Sequence, residues 1–124
     1  MATRRQRQVA ERIKRELSLL LLLEVRDPRL ATITITDVNV TQDLLLAHVY
    51  FSVLGEQEEQ QAALAGLEHA KGYLRTEVAG RIQLRFAPDL VFHLDRSGEY
   101  GRRIDALLDH LKETGQLGDE QGPA

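Results

Sequence analysis

Leu64-Ala65-Gly66-Leu67-Glu68-His69-Ala70-Lys71-Gly72-Tyr73-Leu74-Arg75-Thr76-Glu77-Val78-Ala79-Gly80-Arg81-Ile82 is the stretch on which the fold turns. Leu64, Leu67, Ala70, Leu74, Val78 and Ile82 recur every three or four residues, the period of one helix face. That register runs straight through Gly72, although glycine costs about 1 kcal/mol relative to alanine inside a helix. Ala70-Lys71-Gly72 therefore predicts a kinked helix pair at which another backbone can approach closely. Charge reverses at the same place. Residues 30–69 carry Asp37, Asp43, Glu56, Glu58, Glu59 and Glu68 with no Lys or Arg, whereas residues 70–85 carry Lys71, Arg75, Arg81 and Arg85 against Glu77 alone. A basic second half beyond a kink has the chemistry to hold a phosphate backbone.

Working outward, residues 56–69 form the acidic first half, with carboxylates placed to favour a helix N-terminus, and Lys71 to Arg81 the basic continuation, ended by Ala79-Gly80. Upstream, Arg5 to Glu24 reads as a helix with Val9, Ile13, Leu17 and Leu20 in one stripe and Arg4, Arg5, Arg7, Arg12, Lys14 and Arg15 on the other side. Its leucine run is apolar all round towards the end, which predicts enclosed last turns. Asp27-Pro28-Arg29 stops it, because proline disfavours helical geometry in the residue before it.

Ala31 to Val40 alternates as a strand, with a change of parity near Thr36-Asp37 that implies a bulge. After a turn at Thr41-Gln42-Asp43, Leu45 to Val53 alternates again, with Ala47, Val49, Phe51 and Val53 on one face. Pro88 introduces a third strand, Leu90 to Leu94. Ser97 caps a last helix through Lys112, with Ile104, Leu107, Leu108 and Leu111 facing inward. Residues 1–114 are expected to form one domain, and residues 115–124 a disordered tail.

Composition bounds the possibilities. A 124-residue chain with 43% hydrophobic residues supports one small core. No cysteine is present, which excludes disulfides and thiolate metal sites and is compatible with a reducing cytoplasm. The run Leu19 to Val25 is interrupted by Glu24 and falls well short of the roughly 20 residues of a membrane span. The net charge of −3 conceals segments of opposite sign. Within residues 1–29, eight basic side chains (Arg4, Arg5, Arg7, Arg12, Lys14, Arg15, Arg26, Arg29) face four acidic ones, and a field acts through such clusters.

Catalytic constellations are poor. His48, His69, His93 and His110 are scattered without metal-motif spacing, no phosphate-binding loop of the P-loop type is present, and a helix cap accounts for Asp95 and Ser97. Of three Phe and three Tyr, Phe51, Phe86 and Phe92 are expected in the core, and Tyr50 and Tyr73 are the candidates for base stacking. Shape and phosphate recognition are the better expectation.

The element order α-β-β-α-α-β is that of a type II KH-like domain: an α+β fold with a mixed three-stranded sheet, helices on one face, and here a C-terminal helix. The Gly-x-x-Gly matches at Gly98–Gly101 and Gly115–Gly118 lie outside the helix pair. Five short motifs in order carry a more specific resemblance. They are Arg26-Asp27-Pro28-Arg29-Leu30 before a Thr/Val strand, Asp43 through Tyr50, Ala70-Lys71-Gly72 followed by Leu74-Arg75, Arg85 with Pro88 and Leu90, and Asp95-x-Ser97 followed by Ile104 and Leu107-Leu108. Over roughly residues 5–113 the chain resembles the ribosome-binding factor A family, in which an Ala-x-Gly kink replaces the Gly-x-x-Gly loop.

The resemblance implies a cytoplasmic, monomeric assembly factor that binds the immature 30S subunit and assists late maturation and processing of 16S rRNA. It implies a binding protein and not an enzyme, with no cofactor, no metal, no membrane and no small-molecule substrate. The expected RNA-contact residues are Arg5, Arg12, Arg15, Arg26, Arg29, Ala70, Lys71, Gly72, Arg75, Arg81 and Arg85. Lys71 and Arg75 could instead pair with Glu68 or Glu77 along the helix. Arg26 and Arg29 could equally hold the turn through Asp27. A protein-interaction module without direct RNA binding is the alternative at the level of the whole chain, and a small hydrolase built on Asp95, Ser97 and the histidines a more distant one.

Overall fold

The computed structural model describes residues 2–96 of the chain. The elements are α1 (Arg4–Leu23), a 3-10 turn (Pro28–Leu30), β1 (Ile33–Val40), β2 (Leu46–Val53), α2 (Gln57–Ile82) and β3 (Asp89–Leu94). The expected C-terminal helix and the tail at 115–124 lie outside the described residues.

Helix α1 starts where its polar residues can absorb the free amides of the first turn. The Thr3 hydroxyl accepts from the Gln6 amide at 3.1 Å, and the Gln6 side chain accepts from the Thr3 amide at 2.9 Å. Val9, Ala10, Ile13, Leu17 and Leu20 are buried, as the stripe predicts. The last turns are not enclosed: Leu22 and Leu23 are 77% and 70% exposed. They lie off the stripe, so of that run Leu20 is buried in the core and Leu21 packs against it partly buried. Asp27 then caps the 3-10 turn by accepting from the Arg29 amide, and Pro28 occupies its first position.

The sheet has the order β1-β2-β3, with β1 and β2 antiparallel and β2 and β3 parallel. The expected bulge is present, because the register shifts between Ile35 and Asp37. It places Ile35, Val38 and Val40 together on the buried side despite their different parity. The hairpin turn is fastened by Asp43, which accepts from the Thr41 hydroxyl at 2.7 Å and the Leu45 amide at 3.0 Å, with Leu44 left-handed at φ 63°. Both helices pack on the sheet face formed by Ile35, Val38, Ala47, Val49, Phe51, Leu90 and Phe92, in one continuous core. This is the mixed α+β architecture that the sequence pattern predicts.

Helix α2 departs from the expectation. It runs as one element from Gln57 to Ile82, and Ala70-Lys71-Gly72 does not divide it. Gly80 lies inside the helix, which ends at Gln83 in the left-handed region (φ 57°, ψ 44°). The buried stripe uses Ala63 in place of Leu64, which is 39% exposed. The close approach expected at Gly72 occurs at Gly66. A Cβ built on Gly66 would stand 2.8 Å from Leu30 Cδ2, whereas nothing lies within 4 Å of one built on Gly72. The 3-10 turn after α1 thus presses Leu30 against α2 six residues before the expected place. Phe86, expected in the core, is 61% exposed in the connection to β3.

Candidate nucleic-acid interface

The amphipathic period of α1 decides where its cations go. With the stripe at Val9, Ile13, Leu17 and Leu20 turned inward, Arg5, Arg12 and Arg15 recur at seven and three residues on the solvent side, where all three are exposed. None of them makes a hydrogen bond or ion pair among the described residues. Arg5 and Arg12, with Arg7, Gln8, Val9 and Glu11, line a shallow concavity. Arg7 is engaged locally, donating to the Ala2 carbonyl at 2.8 Å. Arg26, beyond the end of α1, is exposed and likewise has no ion-pair partner among the described residues.

Other expected contact residues are engaged by partners within the chain. Arg29 lies flat against Asp27, with Nε at 3.0 and 3.1 Å from the two carboxylate oxygens and NH2 at 2.7 Å. That two-point contact comes first among the causes that hold Asp27 below the usual carboxylate range, and the Arg29 amide bond adds to it. Arg75 reaches the loop before β3, donating from Nε to the Pro88 carbonyl at 3.0 Å and from NH2 to the Ala87 carbonyl at 3.3 Å. Arg81 joins the two helices, pairing with Glu24 and Glu16 of the α1 side and with Glu77 one turn back on α2. Its charge is spent on three carboxylates.

The middle of α2 is more open. Lys71 pairs with Glu68 at 3.1 Å, and its ammonium sits 5.7 Å from the centre of the Phe92 ring. Ala70 is half-buried and Gly72 exposed, so the backbone beside Lys71 is uncovered. The Thr76 hydroxyl donates to the Gly72 carbonyl at 3.1 Å, a bond that often bends a helix locally. Arg85 stacks its guanidinium 5.3 Å from the Phe86 ring centre, on the surface. The structure thus separates the expected residues into a free cation stripe (Arg5, Arg12, Arg15), an open patch (Ala70, Lys71, Gly72), surface cations at Arg26 and Arg85, and three structural arginines (Arg29, Arg75, Arg81).

The structure also joins two histidines that sequence spacing leaves apart. The parallel register of β2 and β3 sets Tyr50 opposite His93, and His48 Nδ1 lies 2.9 Å from His93 Nε2. Tyr50 and His93 stack with ring centres 4.9 Å apart. They occupy the sheet face away from the helices. Among the described residues no group of three or more His, Asp or Glu could hold a metal ion, and no helix is long and apolar enough to cross a membrane.

Comparison with known proteins agrees with this architecture. The sequence profile described as ribosome-binding factor A matches residues 5–108. A ribosome-binding factor A from Brevibacillus brevis is 50% identical over 112 residues, covering 90% of this chain and 93% of its own. The crystal structure of ribosome-binding factor A from Thermus thermophilus superposes with a TM-score of 0.63 at 30% identity, over 74% of this chain and 98% of that one. A Thermus thermophilus homology model fitted into the cryo-EM map of a 30S-RbfA complex is similar at a TM-score of 0.57 and 26% identity, over 77% of this chain and 97% of that one. With the profile spanning both helices and the whole sheet, and half of the residues shared with a relative along nine-tenths of its length, the chain belongs to the ribosome-binding factor A family.

Proposed function

We propose that this protein is a cytoplasmic assembly factor that binds the immature 30S subunit as a monomer and assists late maturation and processing of its 16S rRNA. The observation that carries the proposal is the α1 stripe of Arg5, Arg12 and Arg15, cations that the fold presents to solvent without partners among the described residues. Unpaired cations at fixed spacing on a rigid helix are suited to phosphates, whose counterions they release on contact. Membership of the family supplies the target, and a relative's description as part of a 30S complex supports it. Ala70, Lys71 and Gly72 add a second contact at which bare backbone lets a phosphate come close, with Arg26 and Arg85 at the margins.

The protein acts through binding energy alone. A ligand shifts an equilibrium only by its differential affinity for the two states. Occupancy of an immature RNA shape therefore favours that shape during processing, and release follows when the mature subunit no longer offers it. Sedimentation through a sucrose gradient tests the proposal. The protein is expected with free small subunits and absent from translating ribosomes, and cells lacking it are expected to accumulate precursor 16S rRNA. Sedimentation only with a protein complex free of RNA would instead establish an interaction module.

A further inference from the structure

Among the described residues, an uncovered apolar groove of about 580 Å³ opens between the end of α1 and the start of β1. Leu21, Leu22, Val25, Leu30, Ile33 and Ile35 line it. Two of its polar neighbours are already satisfied: the Ser18 hydroxyl donates to the Lys14 carbonyl, and Asp27 is paired with Arg29. What remains to be covered is hydrocarbon, including Leu22 at 77% exposure.

The chain is delivered to this end of the molecule. Leu94 pairs with Phe51 and Ile33 with Val53, so the end of β3 and the start of β1 lie at the same end of the sheet, on its two opposite edge strands. The Asp95 amide donates to the Phe51 carbonyl at 2.6 Å, and the Thr36 hydroxyl donates to the Asp95 carboxylate at 2.9 Å. Crossing from β3 to β1 spans two strand spacings, about 10 Å. The eight residue-to-residue steps from Arg96 to Ile104 can reach up to about 26 Å.

Those residues lead into Ile104, Leu107, Leu108 and Leu111, a stripe spaced for one helix face. The far side of the sheet is a more polar surface than the groove, since it presents Thr36, His48, Tyr50, Ser52 and His93 beside the apolar Leu46 and Val91. Charge also matches at the groove, where Arg26 stands at the rim and the segment carries Asp105 and Asp109 beside its apolar positions.

We propose that residues 104–111 dock their apolar stripe into the groove between α1 and β1, so that the groove is an intramolecular binding site for the chain's own C-terminal segment. This interaction is independent of any ribosome.

The absence of cysteine makes the test clean. Full-length Leu22→Cys with Leu108→Cys, oxidised at low concentration, is compared with Gln42→Cys and Leu108→Cys, in which Gln42 lies on the hairpin turn at the opposite end of the sheet. Docking predicts an intramolecular disulfide at least about tenfold faster for the first pair, because the docked segment raises the local thiol concentration. Equal rates overturn the proposal, as does preferential linkage into dimers, which would mean that a second copy fills the groove. Hydrogen exchange gives a second measurement without cysteines. Leu22→Asp should abolish protection at residues 104–111 and leave the buried turns of α2 protected. Segment protection that survives this change, or that is absent from the unmodified chain, overturns the proposal.

Discussion

Leu30 occupies the space that Gly66 leaves empty, its Cδ2 lying 2.8 Å from where a Gly66 side chain would begin, with Arg29 Cβ at 3.3 Å. Leu30 is only 2% exposed and cannot swing out into solvent. The contact fixes how closely α2 packs against the turn that follows α1, and glycine is required there for lack of volume.

Two glycine substitutions in one helix should therefore have opposite signs. Gly66→Ala gains about 1 kcal/mol of helix propensity and loses about 1–3 kcal/mol to overpacking, so the melting temperature should fall. Gly72→Ala meets nothing within 4 Å and should gain up to about 1 kcal/mol. On the same Gly72 variant, affinity for the 30S subunit should fall, since the added methyl covers the backbone beside Lys71. Thermal melts and subunit-binding titrations of both proteins check this, and normal binding by Gly72→Ala would remove Gly72 from the interface.

The free and the structural arginines should separate binding from stability. Arg12→Glu and Arg15→Glu remove cations without partners among the described residues, so stability should change by no more than about 0.5 kcal/mol. Affinity for small subunits should fall, and its dependence on salt should become shallower as fewer phosphates are neutralised. Arg75→Ala should do the reverse. It strips the Ala87 and Pro88 carbonyls of a charged donor and should cost about 1–3 kcal/mol of stability, with binding affected only through that loss.

Acid should weaken the fold through Asp27 and Asp43. Both are held below the usual carboxylate range, Asp27 foremost by side-chain hydrogen bonds from Arg29 and Asp43 foremost by the Thr41 hydroxyl and then the Leu45 amide. A depressed folded-state value means that the contribution is complete above the unfolded value, about pH 4 for Asp, and is lost as pH falls through the folded value. Asp27→Asn and Asp43→Asn should lower stability at neutral pH and flatten its decline below about pH 4. Melting temperature followed against pH for the parent and both variants is the measurement.

Residues 115–124 are expected to be dispensable, on their Gly, Gln and acidic content. Ending the chain after Thr114 should leave the melting temperature and subunit binding unchanged. A loss of several degrees would assign Leu117 a place on the core.

The sequence by itself determined what depends on local backbone period. A helix brings Val9, Ile13, Leu17 and Leu20 to one side whatever they pack against, and a strand does the same for Ala47, Val49, Phe51 and Val53, so both buried faces were legible. The stop at Asp27-Pro28-Arg29 and the bulge near Thr36 were legible too, because proline geometry and a change of parity are written in neighbouring residues. Tertiary structure alone decided which of two helical glycines meets a neighbour, since Gly66 and Gly72 carry the same local cost and differ only in whether Leu30 arrives. It alone decided that Arg75 and Arg81 serve the fold while Arg12 and Arg15 have no partner among the described residues, because the Pro88 carbonyl and the Glu24 carboxylate lie on other elements, as far along the chain as Glu24 is from Arg81. The pairing of His48 with His93 was hidden for the same reason: strand register joins them across 45 residues, and no local pattern encodes the side chain that a distant strand will supply.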